Sequence, residues 1–506
     1  MSDPFYRRRS ILTAGALLAI TGCGVTVGAG EPKPEIVPVE PDPTPAKPVD
    51  PVPNDHGSVS TTYPAFKPSV AQLVNHGGPI LKNPVVVSVT WSDDPNVATL
   101  ESVGDTIGAS SYWKDVVGEY GVGPATSGRA NHVHLTTPLV LPTGPQADPV
   151  APIITLITEA LSNPTSGWPA PTAQSVYLVF IHGKAAKQLC DSGAGGLHDS
   201  LEVGGKEVPF AIAAACDSES GKSTPLEEAT ISASHELAEA ATDPFPSTAP
   251  AWVGLHDDHL AWELLQMGQD ENTDMCEFYE DAYGKYAAPQ LPFHVSRSWS
   301  NASAAAGHAP CVPAAKGETN FNVAPLDAFD NVVADFAKSQ APFNPSSKGY
   351  VVPVGKTRKI ALGLYTDGPT SGFELEAFES DPMDEQGFTF VPAATSTLTL
   401  ALDKTSGQNG EKAYLSVTAN KATEAKIQLV VVRSKLNGVS RFMPILIGTN
   451  GTSGGGASTP ARTSSRDARL TRRFSGWNGG HSSSALPSLR LPGKSRLRGG
   501  RSHNAH

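Results

Sequence analysis

One helix constrains this chain more than any other segment. Residues 223–244 read STPLEEATISASHELAEAATDP. Thr224 is a good N-cap, Pro225 takes the first helical position, and Glu227 completes a capping box three residues after the cap. The helix is predicted to run from Pro225 to about Ala241. Asp243-Pro244 ends it, because proline lacks a donor and disfavours helix at the residue before it. Leu226, Ala229, Ala233, Leu237 and Ala240 recur at helical spacing as a core stripe, and the alanines permit close approach to a neighbour. Ile231, His235, Glu239 and Thr242 lie roughly opposite, and that face is expected to line a cleft.

His235 and Glu239 stand at i and i+4, so an imidazole and a carboxylate project together and can reach one divalent ion. Glu236 lies about 100° further round, placed to meet a water on that ion without being a ligand. This is the logic of His-Glu-x-x-His metalloproteases, with Glu239 in the second ligand position. On these residues alone, a solvated acidic face carrying a His–Glu pair is the alternative. A second acidic cluster, GQDENTDMCEFYED, brings Glu271 and Asp274 just ahead of Cys276.

Around the helix, NPVVVSVTW (83–91) and SVYLVFIHG (175–183) are β-branched and aromatic runs that read as buried strands. ADPVAPIITLITEALSN reads as a helix with Ile153, Ile154, Ile157 and Leu161 on one face. HVSRSWSNA is expected to add a strand. Strands alternating with helices predict an α/β or α+β unit over residues 61–315. Short strand-like runs follow at even spacing, including FELEAFES, STLTLALDK, EKAYLSVTAN and AKIQLVVVRSK. They predict an all-β, immunoglobulin-like sandwich over 320–448. Residues 449–506 are Gly-, Ser- and Arg-rich without apolar periodicity and are expected to be disordered. From Gly451 the chain carries ten basic residues against Asp467 alone, while its net charge is −12 overall. An acidic body with a basic tail is a poor nucleic-acid binder.

The N-terminus reads as an export signal over residues 1–23. Arg7, Arg8 and Arg9 precede an apolar run, Ile11 to Ile20, too short to span a bilayer. Ile20-Thr21-Gly22-Cys23 resembles a bacterial lipobox, which implies cleavage before Cys23 and acylation of its thiol. Arg8-Arg9 also resembles a twin-arginine signal. Residues 24–60 are a Pro-rich, semi-rigid linker. The remaining cysteines, Cys190, Cys216, Cys276 and Cys311, are expected to form two disulfides outside the cytoplasm. Short loops close most easily, which favours Cys190–Cys216 and Cys276–Cys311 among three connectivities.

SHELAEAATDP, then Ala251-Trp252, then the Glu271-x-x-Asp274-x-Cys276 segment resemble the EXORDIUM or phosphate-induced protein family of plants and its bacterial relatives. LKNPVVVSVTW, SSYWKDVVGEYGVG, SVYLVF and SRSWSNASAAAGHAPC are similar to further family segments in the same order. The likeness spans Leu73 to Pro313 and leaves out the sandwich and the tail. It implies a zincin-like, metallopeptidase-like fold more securely than an activity. GLHDDHLAWELLQMG departs from the family pattern as an insertion, and its His256 and His259 are expected at the surface.

These readings converge on an envelope-anchored hydrolase acting on peptides or envelope polymers. His235, Glu239 and Glu271 would hold Zn2+, Glu236 would serve as general base, and Asp243 or Asp274 would orient His235. One histidine and two carboxylates make a hard site, so Mn2+ or Ca2+ also fit. A monomer is expected. The competing expectation is a non-catalytic envelope lipoprotein with a structural metal, binding protein or glycan.

Overall fold

The computed structural model describes residues 55–452 except 145–147, 194, 218–222, 267–269, 278, 280–285, 289, 336–344 and 381–391. Cys23, the export signal, most of the Pro-rich stretch and the tail beyond 452 lie outside the described residues. Among the described residues, no helix is long and apolar enough to cross a membrane. The architecture is mixed α/β, with a β-rich C-terminal half.

The N-terminal half contains β1 (Leu73–Asn75), β2 (Val85–Trp91), β3 (His132–Leu135), β4 (Ser175–Ile181), β5 (Gly196–Val203), β6 (Lys206–Ala214) and β7 (Trp252–Leu255). Its helices are α1 (Val97–Ile107), α2 (Ser111–Val117), α3 (Ala151–Ser162), α4 (Gly183–Asp191), α5 (Pro225–Thr242) and α6 (Leu260–Leu265). Five strands form one sheet in the order β3-β2-β4-β6-β5, while β1 pairs with β7 apart from it. The first four run parallel and β5 is an antiparallel edge.

Side chains alternate between the two faces of β2 and β4, and both strands are largely apolar and buried along nearly their whole length. Val86, Val176, Leu178, Phe180, Ala211 and Ala213 face one layer, with Leu100 of α1, Trp113 of α2 and Leu237 of α5. Val87, Val89, Tyr177, Val179, Phe210 and Ile212 face the other, with Ile153 and Ile157 of α3 and Leu189 of α4. Both faces are therefore covered. The segment 196–214, which carried no strand expectation, is a long hairpin. Its turn, Gly204-Gly205, has φ of 57° and 81°, the left-handed region that favours glycine in a two-residue hairpin loop.

The β-rich half holds two sheets. Phe321–Pro325, Thr357–Thr366, Lys412–Ala419 and Leu398–Leu402 make the first, in that order. The second is built on Phe373–Ser380, Ile427–Leu436, Val439–Gly448, Ser346–Val351 and Asp330–Val333, with two-residue strands at either edge. Pairing is antiparallel except where Ser346–Val351 meets Val439–Gly448. HVSRSWSNA forms two short strands, His294–Val295 and Ser298–Trp299, because each pairs with a different partner.

The two halves share one apolar cluster. Trp262, Leu264 and Leu265 of α6 and Met275 join Phe321, Tyr365 and Leu446 in it. The chain also enters through the β-rich half. Asn409 Nδ2 donates to the carbonyls of Ser60 (3.0 Å) and Thr62 (2.8 Å), and its Oδ1 accepts from the N–H groups of Ala65 (3.1 Å) and Thr366 (3.0 Å).

Candidate metal centre

Helix α5 begins as its sequence dictates. The Glu227 N–H donates to Thr224 Oγ1 at 3.3 Å and the Thr224 N–H donates to Glu227 Oε2 at 2.8 Å. At the other end the Asp243 N–H donates to the Glu239 carbonyl at 2.7 Å. The expected cleft along the His235–Glu239 face is not found. Every residue from Ala233 to Pro244 is buried, because this face is covered by the edge strand β5 and by residues 270–277. Close approach is possible because Gly196 has no side chain: a Cβ there would overlap Ser232 Oγ and Glu236 Oε1.

Residues 270–277 are fastened in place by several bonds. The Trp299 N–H donates to the Asn272 carbonyl at 2.7 Å, the Asp274 N–H donates to Glu239 Oε1 at 3.2 Å, and Cys276 is disulfide-bonded to Cys311. The second disulfide joins Cys190 to Cys216, so the four cysteines pair as expected.

Two His–carboxylate trios meet on Glu239. On one side His235 Nε2 lies 3.0 Å from Glu239 Oε1 and 3.2 Å from Asp274 Oδ1. On the other, His198 Nδ1 of β5 lies 3.4 Å from Glu239 Oε2 and 3.5 Å from Glu271 Oε2. Glu236 Oε2 is 3.7 Å from the same His198 nitrogen. Beyond His235, its Nδ1 faces Glu277 Oε1 at 3.8 Å. Solvent reaches this cluster mainly at Glu271 and Glu277, whose side chains are 16% and 19% exposed.

The electrostatics follow from the burial. Desolvation opposes charge on both imidazoles, yet the surrounding carboxylates hold both well above the ordinary histidine value. Desolvation also pushes Glu236 up to about 7, Asp243 up to about 6 and Glu277 up to about 8. Asp270, Glu271 and Asp274 are raised by the same cause. Glu239 runs the other way: burial would raise it, but the two imidazoles flanking it hold it below the usual carboxylate range.

The expected ligand set is redistributed. His235 and Glu239 stand together, but Glu271 faces His198 rather than His235, and Asp274 takes the place beside His235. Asp243 does not orient His235. Its Oδ1 accepts from the Ala251 N–H at 2.8 Å, and its carbonyl is 3.2 Å from His198 Nε2. The physical reason is direction: Asp243 follows the end of α5, where the chain has turned away from the His235 face. Neither His256, which is exposed, nor His259 belongs to either trio.

Helix spacing points to neither His198 nor Glu277. Gly204-Gly205 between two strand-like runs is a hairpin signal that could have placed His198 on a sheet edge. Nothing local marks Glu277. Compared with models of known families, with curated proteins and with solved structures, the chain matches none.

The residues present fit a divalent cation. Glu236 Oε2, Glu239 Oε2 and Asp243 Oδ2 are buried without a hydrogen-bond partner, which a folded protein rarely tolerates for charged groups. Two imidazoles among this many inward-facing carboxylates leave negative charge that only protons or metal ions can neutralise.

Proposed function

We propose that this protein is an exported, envelope-anchored metal-dependent hydrolase that cleaves amide bonds in peptides or envelope polymers. The observation that carries the reading is the convergence of His235, Glu239 and Asp274 in one buried trio, with the unpartnered Glu236 Oε2 across Glu239 on its His198 side. His235, Glu239 and Asp274 would hold the ion, an assignment that puts Asp274 where the sequence suggested Glu271. A bound Zn2+, or Mn2+, would supply a Lewis acid and lower the pKa of a coordinated water.

Glu236 accounts for the proton traffic. Its carboxyl is pushed up to about 7 by burial, so near neutral pH it can take a proton from water and return it to a leaving amine. His198 alongside favours its ionised form. Glu277, facing His235 Nδ1, would orient that ring for ligation. The antiparallel edge strand beside the helix and the resemblance to EXORDIUM-like proteins support a zincin-like reading of this half. The two disulfides suit an oxidising compartment, in keeping with the lipobox-like N-terminus. The β-rich half reads as an immunoglobulin-like sandwich that spaces or binds.

A structural ion is the second reading, favoured by burial: His235, Glu239 and Asp274 are 3%, 1% and 2% exposed. Its oxygen-rich ligands would suit Ca2+. Elemental analysis of the purified full chain, followed by hydrolysis of casein or peptide mixtures, tests the proposal. Wild-type activity that disappears in Glu236→Gln while the ion is retained supports the hydrolase. A metal-bearing protein without activity favours the structural ion, and a protein that takes up no divalent metal overturns both.

A further inference from the structure

The two oxygens of Glu239 serve different histidines. Oε1 faces His235 Nε2 and Oε2 faces His198 Nδ1, and each imidazole has a second carboxylate of its own, Asp274 and Glu271 respectively. We propose that the centre holds two divalent cations at once, bridged by the Glu239 carboxylate, one on His235 and Asp274 and the other on His198 and Glu271. This rests on the preceding reading for the first ion and adds a second that the helix motif does not contain.

Three features support the second position. His198 Nε2 lies 3.2 Å from the Asp243 carbonyl, an acceptor only, so that nitrogen carries a ring proton and Nδ1 is the atom left to ligate. Nδ1 looks onto Glu236 Oε2, Glu239 Oε2 and Glu271 Oε2. Either a second ring proton or a cation must sit among these oxygens, and a cation there would take Nδ1 as a ligand. Second, Glu239 Oε2 has no hydrogen-bond partner although its residue is 1% exposed, and it points into this same space. Third, the ligand atoms of His198, Glu239 and Glu271 lie within 4.8 Å of one another, as do those of His235, Glu239 and Asp274. A bridging carboxylate of this kind sets two ions roughly 3.5–4 Å apart, the spacing used by two-metal hydrolases to hold both the attacking and the leaving group.

The test is ion stoichiometry on the full chain, stripped with chelator and titrated with Mn2+. Two ions per chain are expected, with the altered spin-resonance line of an exchange-coupled pair. His198→Ala and, separately, Glu271→Gln should each fall to one ion with the uncoupled line, and the milder Glu271→Gln guards against misfolding. A wild type that saturates at one ion with an uncoupled line overturns the second position and leaves the single-ion hydrolase standing. A wild type that binds none overturns both.

Discussion

The backbone N–H of Asp274 donates to Glu239 Oε1 at 3.2 Å, across a separation of 35 residues. This bond ties the acidic segment to the centre of α5 and makes the position of one ligand depend on the other. It acts together with the Trp299–Asn272 bond and the Cys276–Cys311 disulfide, which hold the same segment.

Breaking the disulfide that follows should therefore loosen the centre. Cys276 lies two residues beyond Asp274 and closes a 35-residue separation to Cys311. Replacing both cysteines by serine is expected to lower stability by about 2–5 kcal/mol. It should also weaken divalent-ion binding, which calorimetric titration would register. Replacing Cys190 and Cys216 instead should lower the melting temperature and leave ion affinity close to wild type, since neither residue adjoins a ligand.

Gly196→Ala probes the edge strand. The added Cβ overlaps the ends of Ser232 and Glu236, so the Glu236 carboxyl must move while the backbone stays in place. Hydrolysis is expected to fall about 10²-fold, the scale of a misplacement near 1 Å, with ion content unchanged. Equal activity in the two proteins would remove Glu236 from the chemistry.

Glu236→Gln should retain its ion and lose hydrolysis by about 10²–10⁴-fold, the range for a general base. Glutamine keeps the shape of the side chain and cannot accept the proton. A substitution that abolished ion binding instead would make Glu236 a ligand.

The chelated protein should become less stable as pH rises. Asp243 is raised from 3.8 to about 6, Glu236 from 4.5 to about 7 and Glu277 from 4.5 to about 8, so between those values the folded chain binds more protons than the unfolded one. The two raised histidines act in the same sense above their ordinary 6.5. Glu239 opposes this only in acid, losing its stabilising share as pH falls below 4.5. Melting curves in EDTA should thus give a lower Tm at pH 8 than at pH 5. Restoring the divalent ion should raise the Tm at pH 8 most, because a ligand that binds only the folded state stabilises it and here replaces the missing protons. A chelated protein more stable at pH 8 would contradict the account.

Asn409→Ala should destabilise the full chain by about 1–3 kcal/mol, since it strips partners from the backbone groups of residues 60–65 that Asn409 holds. Ion stoichiometry should not change. The same packing predicts that a fragment ending at Pro313 exposes Trp262, Leu264 and Leu265, and aggregates more readily than the full chain.

Local physics wrote much of this molecule into its sequence. The capping box at Thr224, the stop at Asp243-Pro244, the buried strands Val85–Trp91 and Ser175–Ile181 and the shared turn of His235 and Glu239 all depend on residues within a few positions of each other. Near neighbours in the chain have no choice about meeting. The partners of that helix are a different matter. His198 comes 37 residues before His235 and reaches Glu239 only because β5 turns back as the antiparallel edge of the sheet. Glu271 and Asp274 are three residues apart yet face different histidines, since the turn at 272–273 between them sets them on opposite sides of Glu239. Helix spacing could name the one carboxylate that both sides share. Only the packing of a sheet edge and a disulfide-bound turn onto that helix decided which groups gather around each of its oxygens.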